Sequence, residues 1–398
     1  MSWNDLISRE EFTVILALIL GWAVLYADRT ALYPLLSVIA DSLGISSASA
    51  GAITSAYFLL YVLPQIPSGF AADRWGAKRV LISMFALSGL GILGFGLFGT
   101  SFPLLLFFSA LHGFGASAYY PCCFGTMLST VPPEKRGLSS GLIGIGMAVG
   151  TIGGMAVSGP LYQFFGSYRI PFILLAVPSV LVILMFVKYL PDVRNDVSPS
   201  LAAYGRLFRD RDIWKINIAT FTSLYGFWAA ATWGPTFLQA ERGFSLAQSG
   251  LYTGLIALTA LPGGILWGRL SDRFGRKRTA LFVLPASAAG LFLLTRAQGT
   301  PAIMATLLLF GLFSNTAFTP IAISWVGDIV SRRHPGSMGA AVGFFNGSVM
   351  SSAVLAPLLS GFLRDVTGSL VPAIIAGVVL MIAGTVLLLF TPGRAGNE

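Results

Sequence analysis

The chain has 398 residues, of which 55% are hydrophobic and only 10% are charged, whereas roughly 25% are charged in ordinary soluble domains. This composition excludes a soluble globular protein and indicates a protein that lies within a membrane. The formal net charge of +9 has the sign that suits a nucleic-acid partner, but the placement of the basic residues, given below, argues against one.

Long apolar stretches recur along the whole chain. A helix that spans a bilayer needs about 20 mostly apolar residues, and the sequence predicts about twelve such segments. The first is too long for a signal peptide and has no small-residue cleavage site before its polar residues, so we expect it to remain in the protein. We number the segments 1 to 12 in chain order, with predicted bounds near 12–36, 50–72, 79–99, 102–130, 137–164, 169–190, 213–239, 247–268, 279–296, 301–328, 337–362 and 369–391.

Segment 1 contains an acidic and a basic residue side by side, Asp28 and Arg29. A charge in hydrocarbon costs on the order of 3 kcal/mol or more, and residues of this kind usually have a function. Neighbours on a helix point about 100° apart, so the two side chains belong to different faces. Arg29 shares its face with Trp22, Tyr26 and Tyr33, whereas Asp28 shares its face with Gly21, Leu25, Leu32 and Leu35.

The two faces of segment 1 favour two roles. The polar, aromatic face suits a water-filled cavity, so we interpret Arg29 and Tyr33 as substrate contacts. The apolar face suits a packed carboxyl. We interpret Asp28 as the group that takes and releases a proton, because burial and a nearby guanidinium act on its charge in opposite directions. The alternatives are a permanent internal ion pair, or helix packing through Asp28 alone.

Two further sets of polar side chains recur at helical spacing in the first half, and we predict that both contact a substrate. For the set on segment 2, plain hydrogen bonding between helices is the alternative. On segment 4, His112 could titrate in the physiological range or be a satisfied packing residue. The sets are Tyr57, Tyr61 and Gln65 on segment 2, and His112, Tyr119 and Tyr120 on segment 4.

The second half offers aromatic and amide side chains, but no clear ionisable residue inside segments 7 to 12. We predict substrate contacts from Tyr225 and Trp228 of segment 7, for which core packing is the alternative, and from Asn315 and Asn346 of segments 10 and 11. If transport is coupled to protons, the coupling chemistry should therefore lie in the first half.

The second half also copies a loop of the first. GFAADRWGAKR at 69–79 and GRLSDRFGRKR at 268–278, the first and second copied loops, share Gly, Asp, Arg, Gly, Lys and Arg at identical spacing. They start 199 residues apart, and the same offset relates Pro121 to Pro320 and Gly137 to Gly336. Two parallel repeats of six segments follow. We expect an N-terminal half at 1–190, a linker loop at 191–212 and a C-terminal half at 213–398.

The basic residues orient the chain, because Lys and Arg concentrate in cytoplasmic loops. If the N-terminus is cytoplasmic, twenty of the 25 Lys and Arg lie in inside loops or tails. This asymmetry needs no polyanionic partner, so we expect no nucleic acid. We also expect cytoplasmic N- and C-termini and, from the short loops, a multi-pass protein of the bacterial inner membrane. The exceptions are Arg29 within the membrane and Arg169, Arg242, Arg296 and Arg364 outside.

The copied loops resemble the signature loop of the major facilitator superfamily, G-x-x-x-D-R-x-G-x-K-R, which occurs twice here without a mismatch. PPEKRG at 132–137 is similar to the family's turn between segments 4 and 5, and GSYRIPF at 166–172 to its entry into segment 6. The resemblance covers essentially the whole chain. It implies an all-α polytopic membrane protein, with twelve transmembrane helices in two six-helix pseudo-repeats around a central cavity.

The resemblance also implies a gating network of charges on the cytoplasmic side that holds the outward-open state. Exposed ion pairs are individually worth little, but a network that breaks and re-forms could bias two states that differ by about a few kcal/mol. Mapped onto this sequence, the network and its glycines would be Gly69, Asp73, Arg74, Gly76, Arg79, Glu134 and Arg136 in the first half, and Gly268, Asp272, Arg273, Gly275, Arg278, Asp328 and Arg332 in the second.

Short motifs narrow the resemblance within the family. YADR in segment 1 resembles the anion:cation symporter branch, which moves organic acids with protons or sodium; similar Asp-Arg pairs occur in spinster-like lipid transporters. Members often carry R-x-x-Q-G-x-G in segment 4, whereas SALHGFG here has Ser109 and His112 at those positions. Proton-coupled sugar-acid members keep an arginine and a glutamate where this chain has Ser109 and Ala116. Antiporters of the family carry glycines in segment 5 that end in G-x-x-x-G-P-x-x-G-G. The stretch GTIGGMAVSGPLYQFFG departs from that spacing, so drug/proton antiport loses support.

These patterns favour a secondary transporter that takes up a small organic anion, a carboxylate, together with protons. Arg29 would bind the anion and Asp28 would carry the proton. The alternatives are a proton-coupled exporter of lipophilic drugs or lipids, and a sensor built on a transporter fold. The sequence offers no nucleophile with a base, metal cluster or phosphate-binding loop, so we expect no enzyme activity, cofactor or metal. The expected partners are the substrate, protons and membrane lipids, and the expected assembly is a monomer.

Overall fold

The computed structural model describes residues 8–132, 135–193, 207–334 and 337–392, and within those ranges the chain forms sixteen α-helices and no strand. Long apolar runs become helices because a segment surrounded by lipid must satisfy its backbone hydrogen bonds internally. The first nine helices are α1 Arg9–Thr30, α2 Leu32–Leu43, α3 Ser47–Val62, α4 Gln65–Trp75, α5 Ala77–Phe98, α6 Phe102–Ala116, α7 Tyr119–Thr130, α8 Arg136–Phe165 and α9 Ile170–Tyr189.

The remaining helices repeat this order. They are α10 Arg211–Arg242, α11 Leu246–Phe274, α12 Arg276–Arg296, α13 Thr300–Phe313, α14 Asn315–Arg333, α15 Met338–Thr367 and α16 Val371–Leu389. Helices that follow each other end to end make up one segment each: α1 with α2, α3 with α4, α6 with α7, and α13 with α14. The described residues therefore form twelve helical segments in two sets of six, as predicted.

Most of these segments are apolar enough to cross a membrane. Among the described residues, ten helices pass on length and composition, or eleven when the bent pair α3 and α4 counts as one span. The segment left out is α10, which has 32 residues and is therefore long enough to span. Its interior is more polar than that of the others, with Asn217, Thr220 and Ser223 all buried.

Prolines mark the places where segments break. α3 and α4 meet at a bend of 40° beside Pro64, whose ring cannot continue the ladder of helical hydrogen bonds. α6 and α7 are separated at Ser117, shortly before Pro121, and α13 ends before Ser314, shortly before Pro320. Because these two prolines are one repeat offset apart, the breaks in segments 4 and 10 are copies of each other.

The chain divides into two compact units. One comprises residues 1–45 and 52–198, and the other comprises residues 46–51 and 199–398. The division between residues 198 and 199 falls inside the predicted linker at 191–212. Each unit has its own buried aromatic core, which includes Tyr33, Phe85 and Phe172 in the first unit, and Trp233, Phe237 and Phe310 in the second.

A ladder of three glycines on α8 holds segment 1 in the first unit. Gly146, Gly150 and Gly154 recur at every fourth residue, which places them on one face of the helix. A Cβ atom at each position would come within 2.3 Å of a backbone oxygen of α1, those of Ile19, Ala23 and Ala27 in turn. Only glycine permits so close an approach, so the ladder fixes the position of the polar pair that follows Ala27.

We expect Gly150→Ala to lower the free energy of unfolding by about 1–3 kcal/mol, because its Cβ would overlap the Ala23 carbonyl and force α1 and α8 apart. Gly153→Ala on the same helix is the matched control, since a Cβ there meets nothing within 4 Å. That variant should be neutral or slightly stabilised by the higher helix propensity of alanine. Thermal unfolding in one detergent measures both, and equal losses would contradict the ladder.

Segments 2, 3 and 4 approach each other as closely around one histidine. A Cβ at Gly113 would lie 2.1 Å from the Tyr57 carbonyl oxygen, and a Cβ at Gly91 would lie 2.5 Å from the backbone nitrogen of His112. The glycines therefore bring α6 against both α3 and α5. His112 is held where these three helices meet.

Candidate functional site

A small cavity lies inside the first unit, bordered by segments 1, 2, 3, 4 and 6. Its volume is about 20 Å³, which is room for one water molecule. We call it the inner cavity. It is lined by Asp28, Arg29, Leu32, Thr54, Tyr57, Ile92, Phe95, Phe108, Ser109, His112 and Phe172.

The Arg29 guanidinium lies among aromatic rings at the edge of the inner cavity. Arg29 is buried, and its Cζ atom is 4.0 Å from the ring centroid of Tyr26, 5.1 Å from that of Phe58 and 5.7 Å from that of Tyr57. A cation over an aromatic face is stabilised, by about 2 kcal/mol when it is desolvated. This arrangement keeps a permanent positive charge inside the first unit.

Asp28 borders two spaces at once. Asp28 is 1% exposed and lines the inner cavity. It also borders an apolar groove of about 430 Å³ along α1, α8 and α9, which we call the outer groove. Neither carboxyl oxygen has a hydrogen-bond partner among the described residues. Burying an ionised carboxylate without partners is very costly, so this arrangement favours the neutral acid. The outer groove is lined by Leu20, Ala23, Val24, Ala27, Asp28, Val149, Gly150, Gly153, Val157, Leu175, Pro178, Leu181, Val182 and Met185.

His112 faces Ser88 of α5 with one edge of its ring. Its Nδ1 atom is 2.8 Å from the Ser88 hydroxyl and 3.0 Å from the Ser88 carbonyl oxygen, and the hydroxyl is 3.1 Å from the His112 carbonyl oxygen. Ser109, one turn earlier on α6, donates a hydrogen bond to the Ile53 carbonyl at 2.7 Å. The residue that replaces the family's arginine thus connects segment 4 to segment 2.

Tyr57, Tyr61 and Tyr33 lie close to this group. Tyr57 stacks on Tyr61 at 5.8 Å between ring centroids, with 10° between their planes, and is 5.0 Å from the His112 ring. Tyr33 is fully buried, and Gln65 is half-buried at the start of α4.

Tyr119 and Tyr120 of segment 4 do not line the inner cavity. The Tyr119 hydroxyl donates to the Leu18 carbonyl at 2.6 Å, and its ring packs 4.6 Å from that of Trp22. Tyr120 is 42% exposed and packs 4.8 Å from the ring of Phe124. Tyr120 also lies near Tyr26 and Tyr61, two of the tyrosines around Arg29.

The predicted contacts of the second half are located in the second unit. Tyr225 and Trp228 of α10 are buried, whereas Asn315 and Asn346 are half-buried. Asn315 accepts a hydrogen bond from Thr319 at 2.5 Å. Among the described residues of this unit, no acidic or basic side chain belongs to the buried core, in line with the expectation from the sequence.

Sequence reasoning missed a further amide, Asn217. This residue of α10 is fully buried and donates to the Ser348 hydroxyl at 2.9 Å, while its Oδ1 atom has no partner in the described structure. Asn217 is more deeply buried than the predicted contacts Asn315 and Asn346. The signal was present, since Asn217 is a polar residue within predicted segment 7.

One ion pair of the first copied loop reaches a residue that the resemblance did not indicate. Arg79 lies 3.9 Å from Asp192, the residue after segment 6, and both are exposed. Gly76 ends α4 with a φ of 97°, and a Cβ there would clash with the Asp192 carboxylate. The chain after segment 6 therefore folds back onto this loop.

Among the other predicted gating residues of the first half, Arg136 bonds to the end of the preceding helix, α7. Arg136 donates to the Val131 carbonyl at 3.1 Å and to the Leu128 carbonyl at 2.7 Å, so it satisfies the end of α7. Asp73 is half-buried and Arg74 is exposed, and a Cβ at Gly69 would lie 3.7 Å from Pro121; Glu134 lies outside the described residues.

The second copied loop has a charge centre that the resemblance did not indicate. Arg276 is 2.5 Å from Asp272 and 3.6 Å from Asp328. It stands where the first loop has Ala77, so the shared motif carried no signal for it, although its spacing of four residues from Asp272 did. The remaining predicted gating residues of the second half have separate surroundings. Arg273 lies 5.5 Å over the Phe274 ring, and Arg278 and Arg332 are exposed. Gly275 ends α11 at a φ of 94°, and a Cβ added at Gly268 would meet nothing within 4 Å.

A second charge cluster joins the start of α10 to the end of α14, and the sequence did not reveal it. Asp210 caps α10 by accepting from the backbone N–H of Asp212 at 3.0 Å. It also lies 3.3 Å from Arg333 and 3.0 Å from His334 Nε2, and Arg333 is 2.9 Å from Asp212. Burial alone would raise the pKa of Asp210, but the hydrogen bonds from His334, the helix N–H groups and Arg333 together hold it below its ordinary value.

We expect Asp210→Asn to lower the free energy of unfolding at pH 7 by roughly 1 kcal/mol, the size of a partly exposed ion pair, because asparagine keeps the cap and loses the charge. A carboxyl with a depressed pKa stabilises the fold above its unfolded pKa of about 3.9. That contribution is lost as the pH falls through its lower folded pKa. The melting-temperature gap to wild type should thus persist down to about pH 5 and shrink only below about pH 4. A gap that shrinks already at pH 6 would contradict this.

Comparison with known proteins places the chain from residue 18 onward in one family. A sequence model of the Major Facilitator Superfamily matches residues 18–265 and 219–398. Both copied loops lie within the matched ranges.

Curated relatives similar to this chain are named as transporters of anions. A probable sulfoacetate transporter of Cupriavidus necator is 25% identical, over 94% of this chain and 92% of its own length. The hexuronate transporter of Bacillus subtilis is 26% identical over 96% and 95%. A probable galactarate/D-glucarate transporter of the same organism is 24% identical over 89% and 86%.

Solved structures share the fold. A bacterial homolog of the human lysosomal transporter Spinster, in an inward-facing and occupied conformation, superposes with a TM-score of 0.79 over 95% of this chain and 96% of that one. Its inward-facing, unoccupied form gives a TM-score of 0.75. At 18% identity in both cases, the likeness concerns the arrangement of helices alone.

Proposed function

This chain belongs to the major facilitator superfamily, and from that premise we propose that it takes up a small organic anion, a carboxylate, together with protons. It is a multi-pass membrane transporter and not an enzyme. The proposal concerns the chemical class of the substrate, the coupling ion and the direction of transport.

One observation carries the proposal: in segment 1, a buried guanidinium is next to a carboxyl that has no hydrogen-bond partner among the described residues. Arg29 is held over the Tyr26 ring with its charge inside the first unit. A guanidinium binds carboxylates in a planar, two-pronged geometry, so Arg29 would attract an anion and Asp28 would hold the proton that travels with it. Replacing either charge removes one half of this pairing.

The relatives support an anion as the substrate. Their names include sulfoacetate, hexuronate, galactarate and D-glucarate. A probable nitrate/nitrite transporter of Mycobacterium tuberculosis, 28% identical over 83% of this chain, adds an inorganic anion. All of these carry negative charge at neutral pH. A buried, permanently charged arginine suits every member of this group.

Transport would follow alternating access, in which one six-segment repeat rocks against the other. The ion pairs of the copied loops, Arg79 with Asp192 and Arg276 with Asp272 and Asp328, would break and re-form in each cycle. Tyr225, Trp228, Asn315 and Asn346 would supply aromatic and amide contacts from the second half. We place the protein, as a monomer, in the bacterial inner membrane with both termini cytoplasmic.

A thermal-shift experiment on the purified protein tests the substrate class. The panel holds sulfoacetate, galacturonate, glucarate, acetate, nitrate and the lipophilic cation tetraphenylphosphonium. A ligand that binds only the folded state stabilises it by about 2.7 kcal/mol at a concentration of about 100 times its Kd. We expect a rise in melting temperature with at least one carboxylate, and no rise with the cation.

The opposite pattern would overturn the proposal. Stabilisation by the lipophilic cation and by none of the anions would favour the exporter of lipophilic drugs or lipids. In that event Arg29 would serve to pack the rings of Tyr26, Tyr57 and Phe58. Its substitution would leave cation binding unchanged.

A further inference from the structure

The inner cavity is too small for the anion that the proposed function assigns to this protein. At about 20 Å³ it accommodates one water molecule, since a water needs roughly 10–15 Å³ measured in this way. Isoleucine and phenylalanine side chains of segments 3, 4 and 6 form much of its wall. The cavity is therefore a candidate place for a proton and its carrier, and the anion must bind elsewhere along Arg29.

Three polar groups that line this cavity have atoms without hydrogen-bond partners among the described residues. They are the carboxyl oxygens of Asp28, the Nε2 atom of His112 and the hydroxyl of Thr54. All three residues are at most 3% exposed. Buried polar atoms are normally satisfied, and a buried water typically makes about three hydrogen bonds to groups of this kind. The cavity offers these three partners to one water.

The hydrogen bonds of His112 favour a proton on Nδ1. Nδ1 is 3.0 Å from the Ser88 carbonyl oxygen, which can only accept, and 2.8 Å from the Ser88 hydroxyl, which can donate or accept. A hydrogen on Nδ1 satisfies that carbonyl, and we assign this tautomer. The Ser88 hydroxyl then donates to the His112 carbonyl oxygen. Nε2, on the opposite side of the ring, is left as an acceptor. A neutral Asp28 is a donor, so the two groups have complementary roles.

We propose that the inner cavity holds one water molecule that connects the Asp28 carboxyl to His112 Nε2, and that this water relays the transported proton between them. In the relay step, the carboxyl O–H bond breaks and its proton passes to the water. The water simultaneously gives one of its own protons to Nε2. The products are a carboxylate, an unchanged water and an imidazolium, so charge and atoms balance. The inference rests on the proposed proton coupling and assigns His112 as its second carrier.

The charged surroundings favour a proton over a metal cation in this cavity. Arg29 lines the same cavity, and its charge disfavours any second cation there, whether sodium or an imidazolium on His112. In the relay step, the carboxylate formed on Asp28 offsets the charge of the imidazolium. Tyr57 faces His112 from α3, and α5 contributes Ser88. The residues of α8 and α9 that share the outer groove with Asp28 carry no titratable side chain. Four tyrosines surround the guanidinium, namely Tyr26, Tyr33, Tyr57 and Tyr61.

Nitrogen NMR of the histidine rings tests the relay without any substrate. The chain contains two histidines, so His334→Gln leaves His112 as the sole source of ring signals. In lipid bilayers at neutral pH we expect a neutral ring with its proton on Nδ1. The Nε2 resonance should shift when Asp28→Leu is added, because the donor at the far end of the water is lost. A ring protonated on Nε2, or a resonance insensitive to Asp28→Leu, would overturn the relay.

Time-resolved infrared spectroscopy tests the transfer itself. The band of the protonated Asp28 carboxyl is identified by its absence in Asp28→Asn. After a step to higher pH, this band should disappear at least about 100-fold more slowly in His112→Gln than in the wild type, because a general base typically contributes a factor of that size. His334→Gln is the matched control and should keep the wild-type rate. An unchanged rate in His112→Gln would overturn the relay. If that variant does not fold, the NMR experiment still decides, since it leaves His112 in place.

These experiments separate the relay from the proposed function. If Asp28→Asn abolishes proton-driven accumulation but the His112 readouts do not respond, the relay fails and the coupling by Asp28 stands. If no carboxyl band belongs to Asp28, both fail. If the Asp28 carboxyl band and the His112 Nε2 resonance depended on sodium concentration at fixed pH, the cavity would hold a sodium ion instead of the water. That result would overturn the proposal.

Discussion

Accumulation of the substrate against its gradient should disappear when Asp28 is replaced by Asn, while exchange of labelled for unlabelled substrate continues. For one proton per substrate, a gradient of one pH unit supplies about 1.4 kcal/mol, or roughly tenfold accumulation, in proteoliposomes with the wild-type protein. Asparagine fills the same volume but cannot release a proton. It should also remove the need to deprotonate a buried carboxyl in each cycle, so the variant equilibrates the substrate instead of concentrating it.

The matched control for this variant is Asp41→Asn. Asp41 lies in α2 of the same segment and is exposed, so its substitution should leave tenfold accumulation per pH unit unchanged. If Asp28→Asn still accumulates substrate in response to the pH gradient, Asp28 is not the coupling residue. If the variant loses exchange as well, Asp28 is needed for binding or for packing of segment 1.

Arg29→Ala is expected to weaken binding of the anion by roughly 10- to 100-fold, because a hydrogen bond to a charged group contributes about 1.5–3 kcal/mol. The thermal shift should vanish for any carboxylate that stabilises the wild type in the panel described above, at concentrations that saturate the wild type. Arg29→Lys keeps the charge, but it loses the planar group that lies over Tyr26 and pairs with carboxylates at two points. We expect its affinity to fall between those of the other two proteins.

Arg296→Ala is the matched control for the loss of an arginine over an aromatic ring. Arg296 is exposed and lies 5.5 Å over the ring of Phe292, in the second unit. It should bind the anion as the wild type does. Equal affinity of Arg29→Ala and the wild type, measured on folded protein, would exclude Arg29 as the anion contact and leave the substrate class without its main support.

Much of the fold was predictable because it depends on patterns that repeat along the chain. Apolar runs of about 20 residues predict spanning helices from bilayer thickness alone, and the copied loops revealed the two sets of six. Segment 7 shows the limit of this reasoning. Its helix is present and long, but its buried polar residues place it below the apolarity of the other segments, because polar side chains that face protein need not avoid the membrane core.

Four residues that line the inner cavity, Asp28, Arg29, Tyr57 and His112, were predicted from the sequence, but their contacts were not. The charges of Asp28 and Arg29 stand out in an apolar segment, and helical geometry separates their faces. The structure adds that both reach the inner cavity and that Asp28 alone also borders the outer groove. The pairing of His112 with Ser88 joins residues 24 positions apart on different helices. No periodicity within one segment specifies such a pair.

The charge networks were the least predictable part. A motif indicates which residues recur, whereas partners depend on side-chain length and on nearby chain that the motif does not include. Arg79 meets Asp192 because the chain after segment 6 folds back, and Arg276 occupies a variable position of the loop. Tyr119 illustrates the reverse case, since a polar residue at promising spacing is used to hold α7 against the Leu18 carbonyl.

The glycine ladder on α8 also determines which changes in length segment 5 can tolerate. An α-helix turns by about 100° for each added residue, so one residue inserted between Gly146 and Gly154 would rotate one end of the ladder away from α1 and bring side chains into its place. An insertion of four residues nearly restores the facing, but it displaces the far end by about 6 Å along the helix. Insertions and deletions should therefore be confined to the loops that flank α8, and the spacing of three residues without side chains sets the position of Asp28 along α8.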